Sequence, residues 1–212
     1  MNSPKFRVPS AWGLCFAGNE EHYCAAIDAA MDASHGFMGI FIYLEIGLGY
    51  GDTMRAAQDY MLQSGRPFRC FGVDIVTCNG QAALAENYPA KDTIICLDGA
   101  KTFLERAANG PNPRVADFVF IDGCHGAECV SSDFLGVEKI VHPGSIVVFH
   151  DTDHGCQDIH LQPHCGTGIR AREAVEKLGL LDDSRPGWKK LEETSGNKDR
   201  GGHGCLFVQR CA

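Results

Sequence analysis

The chain has 212 residues, enough for one α/β domain with a substantial core and few for two. A formal charge of -8 argues against a general nucleic-acid binder, whose affinity comes from basic patches on phosphate. No stretch approaches the roughly 20 apolar residues of a membrane helix. Residues 1–7 lack the apolar core of a signal peptide, so a cytoplasmic setting is expected. Eleven cysteines occur without C-x-x-C pairs, several inside apolar runs (Cys15, Cys70, Cys96, Cys205). They read as buried reduced thiols rather than a disulfide framework.

Residues 11–36 have helical character, with Tyr23, Ile27, Ala30 and Met31 forming an apolar stripe and Asn19 placed as its cap. Trp12 and Phe16 just before it are expected in the core. An apolar strand from residue 39 then runs into Glu45-Ile46-Gly47-Leu48-Gly49-Tyr50-Gly51, and a helix follows over residues 54–62, capped by Asp52 or Thr53. Strand, glycine turn and helix start make a cradle: the glycines let backbone approach a ligand, and free N–H groups favour polar or negative groups. A dinucleotide turn needs G-x-G-x-x-G, and from Gly47 its third glycine would fall on Asp52, which disfavours a nicotinamide dehydrogenase.

Residues 68–74 read as a second strand ending in Asp74, where an acid can accept hydrogen bonds from ribose hydroxyls. A crossover helix is expected over residues 81–88. The third strand and its exit loop are Thr93 to Ala100, carrying Asp98 and Gly99, with a helix over residues 101–108. Asp98 suits a helix cap. The apolar run Phe118-Val119-Phe120-Ile121 reads as a central parallel strand, and Asp122 ends it at the edge where α/β ligands bind. A helix over residues 128–140, a turn at His142-Pro143-Gly144 and a buried strand over residues 145–152 follow, the last ending in His150-Asp151. Residues 153–168 form a long connection. Its Cys156, His160, His164 and Cys165 miss the usual zinc spacing, so a lid or plain loop is expected. An amphipathic helix over residues 168–178 and two antiparallel strands, 188–194 and 205–210, complete the chain.

The E-x-G-x-G-x-G turn resembles motif I of the class I S-adenosylmethionine (SAM) methyltransferases. The phrases F-I-D-G-x-H (residues 120–125) and P-G-S-I-V-V-F-H-D (residues 143–151) resemble the small-molecule O-methyltransferase branch, with Ser145 where a second glycine is usual. The resemblance covers residues 39–152 and implies a Rossmann-like seven-stranded, mostly parallel sheet with an antiparallel last strand and helices on both faces. It implies one domain: an N-terminal helical cap (1–38), a cofactor-binding core (39–152), an active-site loop (153–168) and a C-terminal helix with two strands (169–212). Glu45, Gly47, Gly49 and Gly51 would hold the methionine end of SAM, Asp74 the ribose, and Asp98 and Gly99 the adenine side. Asp122 would face both the cofactor and a metal.

By the same resemblance Asp122, His150 and Asp151 would bind Mg²⁺ or another divalent cation, and His125, three residues after Asp122, would be the catalytic base. His150 departs from the acid-rich pattern and leaves Mn²⁺, Fe²⁺ and Zn²⁺ open. The implied reaction is O-methylation of a small-molecule hydroxyl. An aminopropyl transferase or a non-catalytic cofactor-binding module are the alternatives, and a homo-oligomer stays open.

Overall fold

The computed structural model describes residues 1–10, 12, 17–34, 39–75, 93–97, 99–111, 115–153, 169–196 and 203–212. In chain order these give α1 (Glu20–Ala33), β1 (Phe41–Ile46), α2 (Asp52–Leu62), β2 (Phe68–Asp74), β3 (Thr93–Leu97) and α3 (Ala100–Asn109). Then follow β4 (Ala116–Ile121), α4 (Ala127–Val137), β5 (Val141–His150), α5 (Ile169–Lys177), β6 (Trp188–Glu193) and β7 (Cys205–Arg210). The expected helix over residues 81–88, Asp98, Cys15, Phe16 and the Cys156/His160/His164/Cys165 set lie outside the described residues. Among the described residues no helix is long and apolar enough to cross a membrane.

All seven strands form one sheet in the order β3-β2-β1-β4-β5-β7-β6. The first five neighbours pair in parallel, while β7 runs antiparallel to both β5 and β6. The expected antiparallel last strand is therefore present. Strand order reverses direction between β1 and β4, and such a switch point opens a crevice at the C-terminal strand ends.

Side chains alternate across each strand, and this divides the interior into two cores. Phe41 and Tyr43 of β1, Phe118 and Phe120 of β4, and Ile146 and Val148 of β5 pack with Tyr23, Ile27, Met54 and Tyr60 from α1 and α2. Leu44, Ile46, Val119, Ile121, Val147 and Phe149 take the opposite face, with Leu104, Phe134 and Val175 from α3, α4 and α5. A strand buried on both faces must be apolar at consecutive positions, which is why residues 118–121 lack a polar alternate. Trp12 packs on the first core, edge-on to Tyr23 at 5.2 Å, as expected.

Three local expectations are corrected. Asn19 stands at the N-terminus of α1, yet its side chain makes no cap; it donates to the His203 carbonyl at 2.6 Å and accepts from Thr194 Oγ1. The cap of α2 is Gly51 in a left-handed conformation (φ 78°), while Asp52 is already helical and pairs with Arg55. Residues 142–144 belong to β5 rather than to a turn before it. The ladder pairs Ala116 with Val141 and then Phe118 with Ile146, so the extra residues of β5 are accommodated as an irregularity within the strand.

That irregularity feeds a polar knot at the N-terminal edge of the sheet. Buried Asp117 accepts hydrogen bonds from Ser34 Oγ, from the Ile42 N–H at 2.6 Å and from His142 Nε2 at 2.9 Å. Arg66 extends it by donating to the Ser34 and Met31 carbonyls. Five segments are thereby tied at the edge opposite the strand ends that carry the candidate chemistry.

Candidate active site

The glycine turn is fixed to the strands on either side. Gly47 N–H donates to the Val73 carbonyl at 2.8 Å, and Asp122 N–H donates to the Ile46 carbonyl at 2.8 Å. Gly47 adopts φ 85°, and a Cβ there would lie 2.2 Å from the Asp122 carbonyl oxygen. Only glycine satisfies both the conformation and the approach of β4. Gly49 (φ 48°) and Gly51 (φ 78°) continue the turn. Asp74 Oδ2 accepts from the Leu48 and Gly49 N–H groups, at 2.9 and 3.1 Å. The acid expected at a ribose grips the glycine turn in this structure. Gly99 precedes α3, its carbonyl accepting from Phe103 N–H.

Glu45 is 1% exposed, at the end of β1 on the α1 side of the sheet. Burial raises its pKa well above the ordinary carboxylate value, and the nearby charges of Asp122 and Asp74 raise it further against the Tyr43 hydrogen bond.

One strand across, the ends of β4 and β5 bring the acids and imidazoles together. The ligand atoms of Asp122, His125 and Asp151 lie within 4.8 Å of one another, close enough to share an ion. His125 Nε2 stands 3.1 Å from Asp151 Oδ2 and 3.6 Å from Asp122 Oδ1. His150 sits beneath them, 4% exposed, with Nδ1 at 3.0 Å from Asp122 Oδ1 and 3.3 Å from Asp151 Oδ1. Burial alone would lower the His150 pKa, but the two carboxylates outweigh it and hold the ring well above its usual value. An imidazolium wedged below two carboxylates donates from Nδ1. For Asp122 and Asp151 burial opposes ionisation, and His150, helped by His125 at both and by His203 at Asp151, more than offsets it, holding both below the usual carboxylate range.

Asp151 takes φ 57°, uncommon for a residue with a Cβ, and such strain gathers at functional sites. It also accepts a hydrogen bond from His203 Nδ1, and the His203 ring stacks on His150 at 5.8 Å and 13°. The Asp151 hydrogen bond raises the His203 pKa against its partial burial. Nearby, Arg172 of α5 donates to the Thr152 carbonyl at 2.9 Å.

A family model described as a methyltransferase domain matches residues 44–152, from within β1 to just past β5. The chain belongs to this methyltransferase domain family. No curated protein matches the sequence. Several solved structures share the fold of this methyltransferase domain. The O-methyltransferase TomG from Streptomyces achromogenes, solved with SAM, is 20% identical, with 88% of this chain and 78% of that one covered and a TM-score of 0.62. An O-methyltransferase from Bacillus cereus, solved with S-adenosylhomocysteine (SAH), is 16% identical over 96% and 84% of the chains, with a TM-score of 0.61. MycE from the mycinamycin biosynthetic pathway, solved with Mg and SAH, is 18% identical over 97% and 55%, with a TM-score of 0.58.

Within the methyltransferase domain, Glu45, the three glycines and Asp74 gather around one turn, and Asp122, His125, His150 and Asp151 around the neighbouring strand ends. His203 is the member that sequence reasoning misses. No local motif marks it; the antiparallel β5–β7 ladder, in which His150 faces Cys205, carries it to Asp151 from 52 positions away.

Asp133 of α4 lies behind the loop after β4, its Oδ2 close to Gly123. Burial raises its pKa to about 7. The folded state therefore keeps a proton that the unfolded chain releases near pH 4, and stability falls as pH rises from about 4 to about 7. Asp133→Asn removes that loss. Its melting temperature relative to the parent is expected to rise between pH 5 and pH 8, by an effect of up to about 3 kcal/mol; an equal difference at both pH values would show that Asp133 ionises freely.

Proposed function

We propose that this protein transfers a methyl group from SAM to a hydroxyl of a small molecule, assisted by a divalent cation. The observation that carries the reading is the convergence of Asp122, Asp151 and His125 beside the motif I turn, at the switch point between β1 and β4. SAM would lie along Glu45, the glycine turn and Asp74, with Asp98 and Gly99 toward adenine. When bound, it supplies a methyl group on a cationic sulfur.

Asp122 and Asp151 would hold the cation. His150 Nδ1 points at the two carboxylates, so what is offered outward is a pair of acids, a donor set that fits hard Mg²⁺ with retained waters. The cation would lower the pKa of a hydroxyl at the site. His150 is then a positioning group that orients both acids from below. His125, partly exposed above them, takes the hydroxyl proton. Displacement at the methyl carbon needs little beyond alignment and exclusion of water.

The test begins with calorimetric titration of SAH with and without Mg²⁺, followed by acceptor screening with methyl-labelled cofactor. Micromolar SAH binding and a labelled methyl ether support the reading; no binding under any metal condition overturns it. Transfer of an aminopropyl group would instead identify the alternative chemistry on this fold. His125→Ala is expected to retain Mg²⁺ binding while turnover falls at least about 100-fold; loss of Mg²⁺ binding would make His125 a ligand rather than the base. The soluble acceptor is small, and the acidic chain is not expected to act on nucleic acid.

A further inference from the structure

Tyr43 and Glu45 lie two apart on β1 and therefore share a face, the one covered by α1. Tyr43 Oη donates to Glu45 Oε2 at 2.5 Å, and it lies 2.7 Å from Tyr23 Oη of α1. Each phenol has one proton. With that of Tyr43 committed to the carboxylate, Tyr23 must donate to Tyr43, so two O–H dipoles run in series toward Glu45. Neither phenol is free to turn away. Tyr23 meets Phe118 and Phe120 edge-on at 5.1 and 5.3 Å, and Tyr43 stacks on Phe118 at 5.7 Å and 8°. Both tyrosines are completely buried.

We propose that Tyr23 and Tyr43 are positioning residues that hold the Glu45 carboxylate for the cationic amino group at the methionine end of the cofactor. The inference rests on the cofactor reading above. Burial and the charges of Asp74 and Asp122 oppose ionisation of Glu45, and an arriving ammonium reverses that balance. The phenol chain stabilises the ionised form from the side away from the ligand, so its effect falls on one end of the cofactor only. The N-terminal helix α1 thereby takes part in binding through Tyr23, without touching the ligand.

The test compares SAH with 5′-methylthioadenosine, which keeps the adenosine and thioether but has no amino-acid group. Tyr43→Phe is expected to weaken SAH binding about 10-fold and Tyr23→Phe about 3-fold, with methylthioadenosine unchanged in both. In a Glu45→Gln background Tyr43→Phe is expected to have no further effect on SAH, because the two residues act through one interaction. Equal weakening of both ligands would mark a merely structural role and overturn the inference, as would unchanged SAH binding in Tyr43→Phe. Wild-type protein that binds neither ligand would overturn the cofactor reading itself, and this inference with it.

Discussion

Asp122→Asn is expected to reduce methyl transfer by about 100- to 1000-fold while leaving the protein folded. The substitution keeps the size of the side chain and removes its charge. Two functions go with that charge. The pair of acids proposed to hold the cation becomes a single acid, and Mg²⁺ affinity is expected to fall about 10- to 100-fold. His150, buried beneath, is left with Asp151 as its close carboxylate partner, and removing one member of a buried charged cluster is costly. Initial rates with labelled cofactor across a Mg²⁺ titration provide the measurement. A rate within about threefold of the parent at every Mg²⁺ concentration would remove Asp122 from the mechanism.

Gly47→Ala is expected to destabilise the protein by about 3 kcal/mol or more and to abolish SAH binding. A left-handed conformation accounts for about 1–2 kcal/mol of this. The rest comes from the new Cβ at 2.2 Å from the Asp122 carbonyl, which would force β1 and β4 apart at the point where the site is assembled. Gly49→Ala supplies the comparison, because its φ of 48° is also left-handed while no atom lies within 4 Å of the added carbon. It is expected to cost about 1 kcal/mol in urea unfolding. Equal losses for the two variants would show that conformation alone sets the requirement for glycine.

The contrast between these two glycines indicates what a sequence can disclose. The alternation of Gly47, Gly49 and Gly51 after an apolar strand points to a cradle, because turn chemistry is local. It does not disclose that Gly47 is pressed against a strand arriving 75 positions later. Strand identities were legible for the same local reason: a run such as residues 118–121 has few places to go other than a sheet covered on both faces. The positions of Asp74, Asp122 and Asp151 followed from their place at strand ends.

What escaped was long-range. Asn19 looks like a cap because its neighbours are helical, yet its side chain is drawn to Thr194 and His203. His203 itself has no signature, and only the β5–β7 ladder places it on Asp151. Residues 142–144 carry strong turn chemistry, and pairing with β4 incorporates them in the strand despite it. From the sequence His150 reads as a ligand; the orientation of its ring, with Nδ1 on two carboxylates, is set by packing under the strand ends.

The Asp117 knot bears on how such a protein diversifies. It binds the end of α1, the start of β1 and the irregular stretch of β5 at the edge of the sheet remote from Asp122 and Asp151. Mutational drift at the reacting edge therefore leaves this anchorage intact. Substitutions confined to that edge can alter contacts with an acceptor without touching the hydrogen bonds of Asp117.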